Sequence, residues 1–148
     1  MNSSRKLKPI KKLADNKEKV AAQNLGKSVE QRQLQKNRLE QLINYRSEYV
    51  DSMTLKTQQG VSGDKLHQYH QFLNKLDSAI DQQHVELEHS NVKLSQCQTK
   101  WQSDNSRASA IDKVMKNLSN KEKKASDKKE TAQVDEMSTQ AFLRRKIH

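Results

Sequence analysis

One cysteine, one proline, one tryptophan and three glycines are spread over 148 residues. With Cys97 alone, no disulfide can close within the chain, and the composition suits a reducing compartment. So few turn formers leave no means of building the closely spaced turns of a sheet protein. Aromatics make up 4% and hydrophobic residues 32% of the chain, against about 45–50% in ordinary globular chains. That excludes a compact globule with a broad core. No window approaches the roughly 18 apolar residues of a membrane span. The opening MNSSRKLKPIKKLADNK lacks the apolar stretch of about 7–15 residues that a signal peptide needs. The expected location is the cytosol, at most peripheral to a membrane.

What the chain does have is polar bulk and positive charge. Gln (16), Ser (15) and Asn (10) are abundant, and 28 Lys and Arg outnumber 18 Asp and Glu for a net charge of +10. Such a balance admits nucleic acid, anionic membrane or an acidic protein surface as partner, without choosing among them. The architecture is either an elongated helical protein with a narrow apolar seam or a disordered basic chain. Periodicity separates the two. Steps of three and four from Leu66 reach Tyr69, Leu73, Leu76, Ile80, Gln83, Leu87, Ser90, Leu94, Cys97, Trp101, Asp104, Ala108, Ile111, Met115 and Leu118. Thirteen of these 16 positions are apolar, where composition alone would give about five. A hydrophobic repeat of about 3.5 residues makes a seam along one helix, and that seam needs a partner helix. A weaker copy runs through Leu39, Leu42, Arg46, Tyr49 and Met53, and backwards through Gln35, Arg32, Ser28, Leu25 and Ala21.

Between the two seams lies Gln59-Gly60-Val61-Ser62-Gly63-Asp64. Gly60 can adopt the left-handed conformation that ends a helix, and Ser62 or Asp64 can cap the next one. A connection this short folds the second helix back antiparallel on the first. The expected fold is all-α, an antiparallel two-helix coiled-coil hairpin. Its parts are a basic N-terminal arm over 1–11, helix 1 over 12–58, a turn over 59–64, helix 2 over 65–130 and a tail over 131–148. At about 1.5 Å per residue, helix 1 runs out opposite roughly residue 110, leaving the Lys-rich end of helix 2 to project alone and fray. The tail is expected to be either flexible or a helix ordered by a partner, with Val134, Met137, Ala141 and Phe142 spaced to form one face of that helix.

Catalytic chemistry has little to stand on. His67 and His70 are three apart, but nothing nearby supplies a third metal ligand, so they read as surface histidines. No phosphate loop or nucleophile motif occurs, the carboxylates lie among lysines as helix-face pairs, and a two-helix pairing has no cavity to exclude water. The expectation is a non-enzyme without cofactor or metal. Basic clusters stand out: Arg5, Lys6, Lys8, Lys11, Lys12, Lys17 and Lys19 at the start, and Lys121, Lys123, Lys124, Lys128 and Lys129 late in helix 2. The hairpin brings both to the same end. They read as a solvated face, as an electropositive tip entering an acidic site on a partner, or as a nucleic-acid surface. The last is weakened because no aromatics interleave to stack bases. Phe72 lies off the seam beside Leu73 and, with Tyr69 and Leu76, forms an apolar strip near the bend. It either packs at the edge of the seam or anchors another protein.

The stretch Leu39-Glu-Gln-Leu-Ile-Asn-Tyr45-Arg-Ser-Glu-Tyr49, the Gly60/Gly63 bend and Tyr69-His-Gln-Phe72-Leu-Asn-Lys-Leu76-Asp-Ser-Ala-Ile80 resemble the bacterial flagellar FliJ family. Trp101 and Val134-Asp-Glu-Met137 fall where that family has similar residues. The resemblance implies a soluble component of the flagellar type III export apparatus, similar to the central γ stalk of rotary ATPases. It further implies a protein that sits in the pore of the hexameric export ATPase, promotes its assembly and activity, contacts the cytoplasmic part of the export gate and engages export chaperones. On that analogy Tyr69, Phe72 and Leu76 face the gate. Lys11, Lys12, Lys17, Lys19, Lys121, Lys123, Lys124, Lys128 and Met137 face the ATPase ring. The chain is then a monomer in isolation, cytoplasmic and drawn to the inner face of the membrane at the flagellar base only through its partners. The competing expectations are a basic coiled coil that binds nucleic acid and a purely architectural dimer.

Overall fold

The computed structural model describes residues 3–147. Helix α1 spans Ser3–Gln59 and helix α2 spans Gly63–Ile147, with no strand among the described residues. The two pack against each other in opposite directions, as the paired seams require. At the bend Gly60 takes φ +96°, and its amide donates to the Thr57 carbonyl at 3.1 Å, closing the last turn of α1. No atom crowds the glycine, so only its backbone angle demands it. Ser62 caps α2: its hydroxyl accepts from the Lys65 amide at 3.2 Å, and its carbonyl accepts from the Leu66 amide at 3.0 Å.

The paired helices form two compact units, one of Val20–Gln102 and one contributed by the chain up to Lys19 and from Ser103 onward. In the first, the hairpin unit, the expected α2 positions from Tyr69 to Trp101 are all buried or half-buried. They meet Ala21, Leu25, Ser28, Gln35, Leu39, Leu42, Arg46, Tyr49 and Met53 of α1, which are covered in the same way. Two positions of the pattern differ: Leu66, at its bend end, and Arg32, within α1, are exposed. Arg32 swings out of the seam to donate through Nε to Asn91 at 2.7 Å. Polar seam positions are satisfied across the pair. Gln83 donates to the Gln35 side chain at 2.7 Å and to its main-chain carbonyl at 3.0 Å. Ser28 donates to the Asn24 carbonyl at 2.9 Å, with its Oγ 3.0 Å from Cys97 Sγ. Such layers hold register where apolar contacts alone would allow slippage.

In the second, the terminal unit, the same spacing continues through Ser4, Leu7, Lys11, Ala14 and Glu18 on α1 and through Asp104, Ala108, Ile111, Met115, Leu118 and Glu122 on α2, all buried or half-buried. Three expectations are corrected here. Helix 1 begins at Ser3, not near residue 12, so residues 3–11 are helix rather than an arm; Met1 and Asn2 lie outside the described residues. Pro9 lies inside this helix, where its φ is compatible with helix but it cannot donate to the Arg5 carbonyl. Helix 1 therefore does not run out opposite residue 110. The Ser4 amide and hydroxyl donate to the Glu122 carboxylate at 3.2 and 2.7 Å, tying the first turn of α1 to α2. Finally, α2 does not stop near 130. No Gly or Pro follows Gly63 to end it, and the Thr131 and Thr139 hydroxyls fold back onto the Asp127 and Asp135 carbonyls at 3.0 and 2.9 Å. The stretch expected as a tail is helix through Ile147, and His148 lies outside the described residues. The turn is correspondingly shorter, between Gln59 and Gly63.

Candidate functional site

Two surfaces, one in each unit, carry the chemistry that a partner would read. In the hairpin unit the seam near the bend is aromatic. The Phe72 ring packs on Tyr49 with centroids 4.7 Å apart and meets Tyr45 edge-on at 6.4 Å. Tyr49 also stacks on Tyr69 at 5.3 Å. These rings sit together because Tyr45 and Tyr49 are one helical turn apart, as are Tyr69 and Phe72 within one residue of a turn, so each pair projects from one face. Phe72 is half-buried, which combines the two readings of it: one side packs on the tyrosines and the other reaches solvent. Tyr45, 50% exposed, extends that patch outward. Leu76, by contrast, is only 7% exposed. It belongs to the seam, not to a surface strip, because its register places it directly against α1. Between the aromatic cluster and the bend lies a groove of about 610 Å³ lined by Tyr49, Met53, Leu66, Tyr69 and Phe72, with Lys56 and Lys65 at its edge.

The Arg46–Asp77 ion pair stiffens this unit. Arg46 Nε bonds Asp77 Oδ1 across the helices, and that hydrogen bond and charge hold the guanidinium even more firmly protonated than usual. Arg46 thus fills a seam position with its aliphatic stem while its head reaches the rim.

The terminal unit holds almost all of the excess charge: 18 Lys and Arg against nine Asp and Glu, where the hairpin unit has ten against nine. Lys12, Lys17, Lys19, Lys121, Lys123, Lys124 and Lys128 are all exposed. Lys11 is not like them. It is half-buried in the seam, 3.0 Å from Asp15 and 3.7 Å from Asp112, and the bond to Asp15 raises its pKa above the ordinary lysine value. Asp112 is held below the usual carboxylate range, first by Lys116 at 3.0 Å and then by Lys11. Glu122 is likewise held down by the two hydrogen bonds from Ser4. Lys11 therefore serves the unit's own pairing. Met137 is 69% exposed on the last stretch of α2, where every residue from Lys123 to Lys146 is exposed. Val134, Phe142 and Leu143 are also uncovered there. Among the described residues no group of three or more His, Cys, Asp or Glu could hold a metal, and no helix is long and apolar enough to cross a membrane.

The Tyr45–Phe72 contact was beyond sequence reasoning, since Tyr45 is off the seam. Its signal was the four-residue spacing to Tyr49. The Ser4–Glu122 tie had no local signal at all.

The family model described as Flagellar FliJ protein matches residues 3–146. Two proteins named Flagellar FliJ protein, from Escherichia coli (strain K12) and from Salmonella typhi, are each 24% identical over 139 residues, covering 94% of this chain and 95% of the relative. No solved structure matches the chain.

Proposed function

The chain belongs to the flagellar FliJ family, a component of flagellar protein export, and from this premise we propose that it couples the export ATPase hexamer to the export gate. The observation that carries the reading is the division of chemistry between the units: nearly all the excess positive charge in one, an accessible aromatic patch in the other. A cationic unit suits a ring pore lined with carboxylates, where Lys12, Lys17, Lys19, Lys121, Lys123, Lys124 and Lys128 supply the complementary charge and Met137 an apolar contact. An aromatic patch suits a protein surface that takes a few large anchors, here Phe72 and Tyr45 with Tyr69 behind them, on the cytoplasmic part of the gate. Export chaperones are the third class of partner. The chain works as a monomer held at the cytoplasmic face of the membrane by these partners, because each unit covers its seam with its own two helices. Hydrolysis belongs to the ATPase; this chain transmits. Added to the purified export ATPase, the chain is expected to raise hydrolysis per subunit. An unchanged rate at saturating chain would refute the coupling role.

A further inference from the structure

The first turns of α1 present a surface that an acidic pore does not account for. Ser4, Leu7, Lys11, Ala14 and Glu18 face the seam. Away from it run two exposed stripes. One is Lys6, Ile10, Leu13 and Lys17, spaced four, three and four; the other is Arg5, Lys8, Lys12 and Lys19. Ile10 is 46% exposed and Leu13 56% exposed, on a helix that has an apolar seam elsewhere to hold them. Of the two carboxylates of this segment, Glu18 lies at a seam position, and Asp15 is exposed beside Lys12 and Lys19 with its charge bonded to Lys11. The outward surface thus carries six cations against one carboxylate, Asp15, which is already paired with Lys11, and two large apolar side chains with a lysine one turn before and one turn after.

We propose that this segment, Arg5 to Lys19, docks directly on an anionic lipid surface, with Ile10 and Leu13 entering the headgroup boundary and the six cations reaching lipid phosphates. A helix lying in the interface needs apolar side chains along its contact line and cations near them, and either signal alone gives weak, reversible binding. Lysine stems can lie along the apolar boundary while their ammonium groups stay among the headgroups. Each cation near an anionic membrane strengthens binding about fivefold. Nucleic acid would use the cations but gain nothing from Ile10 and Leu13, and no aromatic residue stands among the lysines to stack on bases. Lys12, Lys17 and Lys19 cannot meet lipid and ATPase at once, so the lipid-bound chain is a pool outside the ring.

The test is flotation of the full chain with vesicles of phosphatidylcholine alone and of equal parts phosphatidylcholine and phosphatidylglycerol. The chain floats with the anionic vesicles only. Ile10→Ser/Leu13→Ser, which keeps the charge, weakens partition about tenfold or more. Lys8→Gln/Lys12→Gln, on the other stripe, weakens it about 25-fold. All four positions are exposed, circular dichroism checks that both variants stay helical, and either variant alone decides should the other misfold. Failure to float with anionic vesicles overturns the proposal, as does flotation unchanged by the Ile10/Leu13 substitutions. So does a DNA duplex bound more tightly than the vesicles and indifferent to those substitutions.

Discussion

Leu76→Ala is expected to cost about 2–4 kcal/mol of stability, and Phe72→Ala about 1–2 kcal/mol. The two residues are one helical turn apart, but they stand in different environments. Leu76 is buried where α2 faces α1, so its truncation leaves a void between helices that the stiff backbones cannot close. Phe72 loses two ring contacts, with Tyr45 and Tyr49, yet part of its surface was wet before the change. Urea unfolding followed by circular dichroism measures both. The consequence for function runs the other way. Phe72→Ala is expected to weaken binding to the cytoplasmic part of the export gate while the chain remains helical. Leu76→Ala affects the gate only through the position of Tyr69 and Phe72. Should Phe72→Ala cost as much stability as Leu76→Ala, the ring is core and the gate contact must lie elsewhere.

The second large effect is a gain. Gln35→Leu/Gln83→Leu is expected to stabilise the chain by about 2–3 kcal/mol. The wild-type layer is satisfied, with the Gln83 amide bonded to both the side chain and the main chain of Gln35, but it buries polar groups for little net energy. Two leucines would bury apolar area instead. The cost is specificity, because a seam with fewer polar layers no longer distinguishes its own register from a shifted one or from a second copy. Sedimentation should then detect self-association absent from the wild type. Gln35→Leu alone is expected to be neutral or unfavourable by about 1 kcal/mol, since Gln83 then loses its nearest acceptor. A double variant less stable than the wild type would contradict this account of the seam.

How far residues alone lead can be seen position by position. The Leu73-to-Leu118 spacing identified the α2 seam because a covered stripe must recur with the helix, whatever fills it. Even Gln83, Ser90 and Asp104 fall where the pattern put them. The bend was equally readable, since only Gly60 tolerates its left-handed angle and Ser62 is a strong cap. The start of α1 was not. Its seam there contains Lys11 and Glu18, and Lys11 packs its stem while pairing its charge with Asp15 and Asp112, so a count of apolar residues misses them. The reach of α2 was hidden for another reason: from Lys123 to Lys146 every side chain is exposed, and without a covered face there is no period to detect. Of the candidate site residues, the exposed lysines could be found from charge alone. The different status of Lys11 and Leu76 could not, because it depends on which side of each helix faces its partner.

The proposed coupling role rests on the cations of the terminal unit being the surface that the ATPase reads. Hydrolysis by the purified export ATPase, with saturating wild-type chain and with Lys121→Gln/Lys123→Gln/Lys124→Gln/Lys128→Gln, tests this most directly. All four side chains are exposed on α2 and the variant should remain folded. The account predicts that the wild-type chain stimulates and the variant does not; equal stimulation by both would contradict it.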